Sequence, residues 1–173
     1  MALRLFAEKG FTSTTIADIA AMSGTAHGLV YHYFRSKDEL LLAVLERNSF
    51  LPALRQLLAV GPDQPATEVL PRIAKGFSAM VSERADFMSL VLRESQTNAD
   101  VAAAMGQLIG EGLELLTGYL GDRIEAGELR PHDPSITARA LFQAIVAGHL
   151  NRIPAPGFEV GLVDVILNGV LAR

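Results

Sequence analysis

The sequence feature that most constrains the fold is a pair of short helical patterns separated by a glycine. Thr15 and Asp18 have the spacing of a capping box, and the apolar residues that follow have helical spacing: Ile16, Ile19 and Ala20. Gly24 ends this pattern, because glycine adopts the left-handed conformation without steric cost and lets the chain turn sharply. The pattern predicts a helix-turn-helix, whose second helix enters the major groove of DNA.

Composition narrows the class of protein. The chain has 173 residues, half of them apolar, which is enough for one core or for a small module attached to a larger one. The longest apolar run, Leu40 to Leu45, is far shorter than the roughly 18 residues of a membrane span. Cysteine is absent, and residues 1–6 lack the pattern of an export signal. We therefore expect a soluble, cytoplasmic protein without a metal site or cofactor.

Overall charge argues mildly against DNA binding, since basic side chains supply most of the nonspecific affinity for phosphate. The formal net charge is −4. Residues 1–48, however, contain five basic and five acidic side chains, so that this part of the chain is neutral. The charge balance is therefore compatible with a DNA-binding segment at this end of the chain.

The remaining sequence predicts further helices and no strand, so the expected fold class is all-α. Ser36 and Glu39 form a second capping-box pattern at the start of a long helix that runs toward Leu58 and that Pro52 bends. Further helices are predicted around residues 70–80, at 87–92, where both faces are apolar, from about 99 to 126, from 134 after the N-cap Asp133, and over 160–171.

Two groups of residues in the first segment have chemistry suited to DNA. The first turn of the second helix should face the base edges, where apolar groups meet thymine methyls and His27 donates to guanine or phosphate: Ala26, His27, Gly28 and Leu29. The alternative for His27 is a solvated surface side chain. A second group has donors suited to phosphate: Thr14, Thr15, Tyr31, His32 and Lys37. Tyr33 and Phe34 are expected to pack in the core.

The run GTAHGLVYHYF, with TTIADIA before it and SKDEL after it, resembles the DNA-binding domain of the TetR family of bacterial transcription regulators over about residues 2 to 45. The resemblance implies a helix-turn-helix domain at residues 1–45, with a truncated first helix, and a ligand-binding and dimerisation domain at residues 46–173. Because the stretch that usually precedes Ala2 is absent, we expect weaker DNA binding than in relatives. Serine and lysine are usual at the positions of Ala26 and His27, so Thr25 is expected to provide the helix cap.

The resemblance further implies a transcriptional repressor that binds a pseudo-palindromic operator as a homodimer and that a small apolar or amphipathic effector releases. Candidate pocket residues are Phe77, Met80, Met88, Leu92, Arg93, Glu94, Met105 and Tyr119. Ordinary core packing, or surface charge for Arg93 and Glu94, is the alternative. The last two helices would form the dimer interface, through Leu141, Ala144, Ile145, Gly148, Val163, Ile166, Leu167 and Val170.

Two other classes of function remain as alternatives. One is a helical adaptor or oligomerisation protein whose helix-turn-helix only packs against other helices and does not bind DNA. The other, weaker alternative is a helical enzyme. The four histidines are scattered, and the sequence contains no HExxH, no GxSxG and no phosphate-binding glycine loop. We therefore do not expect an enzyme.

Overall fold

A computed structural model describes residues 2–59, 64–150 and 156–169, and within these ranges it contains helices and no strand. The predicted all-α class is confirmed. In the described ranges the helices are α1 (Ala2–Lys9), α2 (Ile16–Ser23), α3 (His27–Tyr33), α4 (Lys37–Arg47), α5 (Leu51–Leu58), α6 (Ala66–Glu83), α7 (Ala85–Glu94), α8 (Ala99–Glu125), α9 (Pro134–Leu150) and α10 (Phe158–Asn168).

The chain divides into two compact units, and the division differs from the predicted boundary at residue 45. The first unit combines residues 1–49 with Arg84–Leu108, and the second combines Phe50–Glu83 with residues 109–173. Helix α7 and the first part of α8 therefore belong with the helix-turn-helix. The apolar pattern shows which side chains are buried, but it does not show which core a distant helix joins.

The core of the first unit contains side chains from both of its segments. Its fully buried members are Phe6, Leu41, Phe87, Leu90, Val91 and Val101. Helix α1 packs against α2, α4 and α7. Helix α7 was predicted to be buried nearly all round, but Met88 and Leu92 are only half-buried, so that a single face of this helix enters the core.

The predicted long helix from Ser36 to Leu58 is two helices. Helix α4 ends at Arg47, and the Asn48 side-chain amide donates to the Val44 carbonyl at 2.7 Å. Helix α5 begins at Leu51 with Pro52 in its first turn. Proline has no N–H and fits the first turn, where that N–H has no intrahelical partner. Pro52 therefore starts a new helix rather than bending an existing one.

The second unit packs α6 against α5, α9 and α10. Three aromatic rings form a row in its core: the ring centroids of Phe50 and Phe77 lie 5.3 Å apart, and those of Phe77 and Phe142 lie 5.2 Å apart. The aliphatic members around this row include Val69, Leu70, Leu120 and Ile145. This cluster, to which α8 contributes Leu120, is the hydrophobic core that holds α5, α6, α8, α9 and α10 together.

The observed start of α9 agrees with its predicted cap, and the predicted end of α10 extends past the described residues. The Asp133 carboxylate accepts the Ser135 backbone N–H at 2.9 Å, which confirms Asp133 as the cap. Hydrogen bonding with Ser135 lowers the pKa of Asp133. Helix α10 ends at Asn168, and the last predicted members of its apolar stripe, Val170 and Leu171, lie outside the described residues. None of the described helices has the length and apolar character that a membrane span requires.

Candidate nucleic-acid interface

Helix α2 begins with the predicted capping box. The Thr15 hydroxyl accepts the Asp18 N–H at 3.1 Å, and the Asp18 carboxylate accepts the Thr15 N–H at 2.9 Å. The Thr15 hydroxyl donates to the same carboxylate at 2.8 Å, and the Lys9 ammonium lies 3.1 Å from its other oxygen. The hydrogen bonds from Thr15, with a smaller contribution from Lys9, lower the pKa of Asp18 to about 2. Asp18 is thus ionised near neutral pH and fixes the start of the helix.

The turn between α2 and α3 has the predicted glycine geometry. Gly24 has φ 65° and ψ 23°, in the left-handed region, and its N–H donates to carbonyls of the last turn of α2. The predicted cap of α3 is wrong: the N-cap is Ala26, which makes no side-chain cap hydrogen bond. The Thr25 hydroxyl instead pairs with that of Ser23 at 2.7 Å. In the part of the chain that the structure describes, α3 therefore begins without a side-chain cap from its N-cap residue.

Helix α3 turns one face to the core and the other to solvent. Val30 and Phe34 pack against the core of the first unit. Gly28, Leu29, Tyr31 and His32 are exposed, as a base-reading face requires. Tyr33, predicted to be a core residue, is 67% exposed, and its ring contacts the His32 ring edge-on, with 5.3 Å between the centroids. Tyr33 follows Leu29 by four residues, so both side chains lie on the same side of the helix. This spacing is the sequence signal that identifies Tyr33 as a surface residue.

Two residues predicted to bind phosphate have other partners. Thr14 is completely buried, and its hydroxyl donates to the Gly10 carbonyl at 2.7 Å, so we withdraw its assignment as a phosphate contact. The Lys37 ammonium donates to the carbonyls of Phe11 at 2.6 Å and Thr12 at 3.1 Å. Both side chains therefore stabilise the turn between α1 and α2.

Several cations of this unit are engaged within it. Arg4 pairs with Glu8 at 2.7 Å and Lys9 with Asp18 at 3.1 Å. In the parts of the chain that the structure describes, Arg35 and Arg47 are exposed and form no ion pair. Arg35 follows the end of α3 by two residues. It is therefore the cation best placed to meet phosphate beside the base-reading face.

The Ser36 hydroxyl caps α4 by accepting the Glu39 N–H at 3.0 Å. The reciprocal half of the predicted capping box differs, since the Glu39 carboxylate accepts the Arg35 N–H at 2.6 Å instead of that of Ser36. Phe34 and the capped start of α4 thus fix the chain immediately after the recognition helix.

Comparison with known proteins identifies the family. The family model described as "Bacterial regulatory proteins, tetR family" matches residues 1–44, and the model described as "AefR-like transcriptional repressor, C-terminal domain" matches residues 68–153. The chain belongs to the TetR family. It is a DNA-binding transcriptional regulator with an N-terminal helix-turn-helix and a C-terminal helical domain.

Individual relatives support the same conclusion. The fatty acid metabolism regulator protein of Bacillus subtilis is 25% identical over 130 residues, which cover 75% of this chain and 67% of that protein. A Clostridium perfringens putative fatty acid metabolism regulator has a TM-score of 0.80 at 20% identity, with 99% and 97% of the two chains covered. A Bacillus subtilis regulator in complex with stearoyl-CoA has a TM-score of 0.78 at 17% identity, with 98% and 96% covered. At these identities the two structures show a shared fold.

The predicted pocket residues of this TetR regulator are divided between the two units. Phe77, Met80 and Tyr119 belong to the second unit, where Phe77 and Tyr119 are buried and Met80 is half-buried. The others belong to the first unit: Met88, Leu92, Arg93, Glu94 and Met105. Of these five, Arg93 is exposed and the other four are half-buried. Their role in binding a ligand stays a prediction.

A groove of about 440 Å³ lies on the second unit. Its lining residues are Leu58, Glu111, Glu114, Leu115, Gly118, Tyr119 and Asp122. The Tyr119 hydroxyl is buried and has no hydrogen-bond partner among the described residues, and burial raises the pKa of this phenol. The Arg123 guanidinium lies over the Tyr119 ring, 5.5 Å from its centroid. Of the predicted pocket residues, Tyr119 alone lines this groove.

The predicted dimer residues occupy two environments in the protomer. Leu141, Ile145 and Val163 are buried in its core, whereas Ala144, Gly148, Ile166 and Leu167 are half-buried, and Val170 lies outside the described residues. The sequence did not single out Ile136 and Val165, which are 65% and 48% exposed on α9 and α10.

Among the described residues, no group of three or more acidic or histidine side chains could hold a metal ion.

Acid should destabilise the first unit through Asp18. Because its pKa is lowered from 3.8 to about 2, Asp18 contributes stability that is complete above about pH 4 and is lost as the pH falls toward 2. We expect the melting temperature of Asp18→Asn to be lower than that of the parent at neutral pH and to approach it at acid pH, as followed by circular dichroism. Glu46→Gln, which removes an exposed carboxylate of the same unit, is the matched control. A constant difference between Asp18→Asn and the parent across this range would contradict the assignment.

Proposed function

We propose that this TetR regulator represses transcription by binding a pseudo-palindromic operator as a homodimer, and that a small apolar or amphipathic effector releases it. The observation that carries the proposal is the exposed face of α3, which Val30 and Phe34 hold on the core and which follows the capped and glycine-terminated helix α2. Because the protein is proposed to bind DNA, we assign it to the cytoplasm. We assign it no enzymatic activity, since the relatives are transcriptional regulators.

Base reading is assigned to the first turn of α3. Ala26, Gly28 and Leu29 are exposed there, and His27 is the first residue of the helix. Leu29 offers an apolar group to thymine methyls, while Gly28 allows close approach of the backbone. Tyr31 and His32 are exposed on α3 and have donors suited to phosphate, whereas the hydroxyl and the N–H of Thr15 already donate to Asp18. This arrangement separates a group that selects sequence from a group that positions the protein.

Dimerisation is assigned to the outer faces of α9 and α10. Ile136 and Val165 expose apolar surface there, with Phe158 and Val160 nearby in sequence on α10. A second copy would cover this surface, with half-buried Ala144 allowing close approach of helices, whereas Gly148 faces the Phe158 ring of its own protomer. A two-fold dimer places its recognition helices about 34–36 Å apart, which matches successive major grooves.

The effector is assigned to the class of acyl-chain compounds. One relative is named a fatty acid metabolism regulator, and one solved relative is in complex with stearoyl-CoA. The second unit offers an apolar interior with the row Phe50, Phe77 and Phe142, and a buried Tyr119 hydroxyl that has no hydrogen-bond partner among the described residues. A buried unsatisfied hydroxyl costs about 1–3 kcal/mol, so a ligand oxygen that accepts a hydrogen bond from it would bind with that advantage.

Substitutions on α3 should separate sequence selection from general affinity. An operator is first selected from a random duplex library. Leu29→Ala should change the difference in binding free energy between the preferred base and the other bases at its contact position by about 1–3 kcal/mol, whereas Tyr31→Ala should weaken binding to all duplexes about equally. Fluorescence anisotropy with the operator and its single-base variants measures both effects. Ser82→Ala, on the exposed side of α6, is the control. Equal losses on every duplex for Leu29→Ala would contradict its role, and an absence of duplex binding by the parent would refute the proposed function.

Acidic substitutions on α9 and α10 should separate the protomers. Ile136→Asp with Val165→Asp removes two apolar contacts per protomer, each worth about 1.5–3 kcal/mol, and should weaken dimerisation at least about 100-fold. Sedimentation velocity over a concentration series measures this change, and operator affinity should fall with it. Leu29→Asp is a matched change at an exposed apolar residue of the first unit and should leave the sedimentation of the dimer unchanged. A dimer of unaltered stability in the double variant would contradict this interface.

Tyr119→Phe should report on effector binding. Loss of an unsatisfied buried hydroxyl should leave the melting temperature of the free protein unchanged or higher, whereas loss of a hydrogen bond of about 1 kcal/mol should weaken effector binding about fivefold. Thermal shift and operator release are measured with fatty acids and acyl-CoA thioesters of increasing chain length. Tyr33→Phe, at an exposed tyrosine, is the control. A Tyr119→Phe protein that responds as the parent does would exclude this hydroxyl from the effector site.

A further inference from the structure

We infer that Asn98, at the corner between α7 and α8, is a positioning residue for DNA binding, because it holds the start of the helix that follows the recognition helix. The inference rests on the proposed DNA-binding function. Asn98 and its partner on that helix, Asp38, are separated by 60 positions in the sequence. The hydrogen bonds of one side-chain amide carry the inference.

The Asn98 side chain makes hydrogen bonds in two directions. Its Oδ1 accepts the N–H of Asp100 at 3.1 Å and that of Val101 at 3.2 Å, which caps the first turn of α8. Its Nδ2 donates to the Asp38 carboxylate at 2.6 Å, in a part-buried contact. An amide offers an acceptor on one atom and donors on the other, so both groups of partners are satisfied at once. Asn98 therefore joins the start of α8 to the start of α4.

The α8 end of this link is anchored in the first unit. The Asn98 N–H donates to the carbonyl of Glu94, the last residue of α7, at 2.8 Å. The Asn98 carbonyl accepts the Ala102 N–H at 3.0 Å, as the N-cap of a helix does. Val101 is completely buried in the core of this unit. The amide is thus held by two helices and is a fixed support for its partner.

The α4 end of the link lies close to the recognition helix. Asp38 is the second residue of α4, and three residues, 34–36, connect the end of α3 to the start of α4. Hydrogen bonds from Ser36 and Glu39 hold this connection through its own neighbours. The contact of Asp38 differs from these because its partner belongs to a distant segment. A shift of Asp38 would therefore move the connection and the end of α3 with it.

A second side chain makes a comparable contact at the other end of α4. The guanidinium of Arg84, the N-cap residue of α7, donates to the Asn48 carbonyl at 3.2 Å. Asn48 is the C-cap of α4, so this contact lies about 16 Å from the Asp38 end of the helix. Both contacts stabilise the packing of α4, but only the one with Asn98 lies beside the recognition helix. Arg84 therefore provides a control for a role in stability alone.

Substitution of Asn98 by aspartate separates its two tasks. Aspartate keeps an oxygen that caps α8, but it replaces the donor to Asp38 by a second carboxylate, which repels the first. We expect Asn98→Asp to weaken binding to the selected operator about tenfold at fixed salt. Addition of Asp38→Asn exchanges the two partners and should restore the affinity to within about twofold of Asp38→Asn alone. Fluorescence anisotropy measures these affinities at a temperature where each variant is folded.

Three further variants serve as controls. Asn98→Ser keeps a cap oxygen and adds no charge, and since its short side chain has no donor that reaches Asp38 it should weaken binding about threefold. It serves in place of Asn98→Asp if that variant does not fold. Ala99→Asp adds a carboxylate at the exposed first residue of α8, and Arg84→Met removes the contact at the far end of α4. Both should keep the operator affinity within about twofold of the parent.

Amide hydrogen exchange tests the link in the free protein. The Glu39 and Leu40 amides donate to the hydroxyl and the carbonyl of Ser36, so they report on the first turn of α4. In Asn98→Asp they should exchange at least about tenfold faster. The Val101 amide keeps its side-chain acceptor in this variant and should exchange as in the parent.

Four results would overturn the inference. They are an unchanged operator affinity in Asn98→Asp, a loss that Asp38→Asn does not restore, a loss of equal size in Ala99→Asp or Arg84→Met, and unchanged exchange of the Glu39 and Leu40 amides. If the parent binds no duplex, the proposed function fails. Hydrogen exchange then decides alone whether Asn98 holds the start of α4.

Discussion

The core shared by the helix-turn-helix and α7 is the constraint on which the first unit depends. A segment of about 45 residues buries too little apolar surface to be stable without further support. Here Phe87 and Val101 join Phe6 and Leu41 in one core, although they are distant in sequence. The helices that present side chains to DNA therefore take part of their stability from residues 84–108. A substitution at Phe87, far from α3 in sequence, changes the stability of the DNA-binding helices.

The same core determines which side chains of α3 reach solvent. Val30 and Phe34, four residues apart, lie on one side of the helix and pack inward. Leu29 and Tyr33 are rotated by one position and point outward, where both are exposed. Helix α3 has no side-chain cap, so its rotation is set by burial and by the turns at its two ends. The face that is proposed to read bases is thus exposed because the opposite face packs in the core.

Local chemistry was readable from the sequence, and distant pairing was not. The capping box at Thr15, the left-handed Gly24 and the cap Asp133 each depend on neighbours within four residues, and all three were predicted correctly. The predicted bend at Pro52 was wrong because a proline in the middle of an apolar pattern is compatible with both a bend and the start of a new helix. The roles of Thr14 and Lys37 depend on the folded α1–α2 turn, which the spacing of residues does not reveal. The packing of residues 84–108 with the helix-turn-helix likewise depends on contacts between distant segments.

The charges of the first unit differ in how readily they can serve DNA. Arg35 and Arg47 are exposed without an ion pair in the described residues, so they can meet phosphate at no cost in protein contacts. Arg4 is tied to Glu8 by an exposed pair, and such pairs contribute only about 0–1 kcal/mol, so DNA can replace that partner easily. Lys37 already donates to two carbonyls and lies over the Phe11 ring, which leaves one of its three donors for another partner. Arg35, two residues after the end of α3, is therefore the cation that can meet phosphate beside that helix at the least cost in protein contacts.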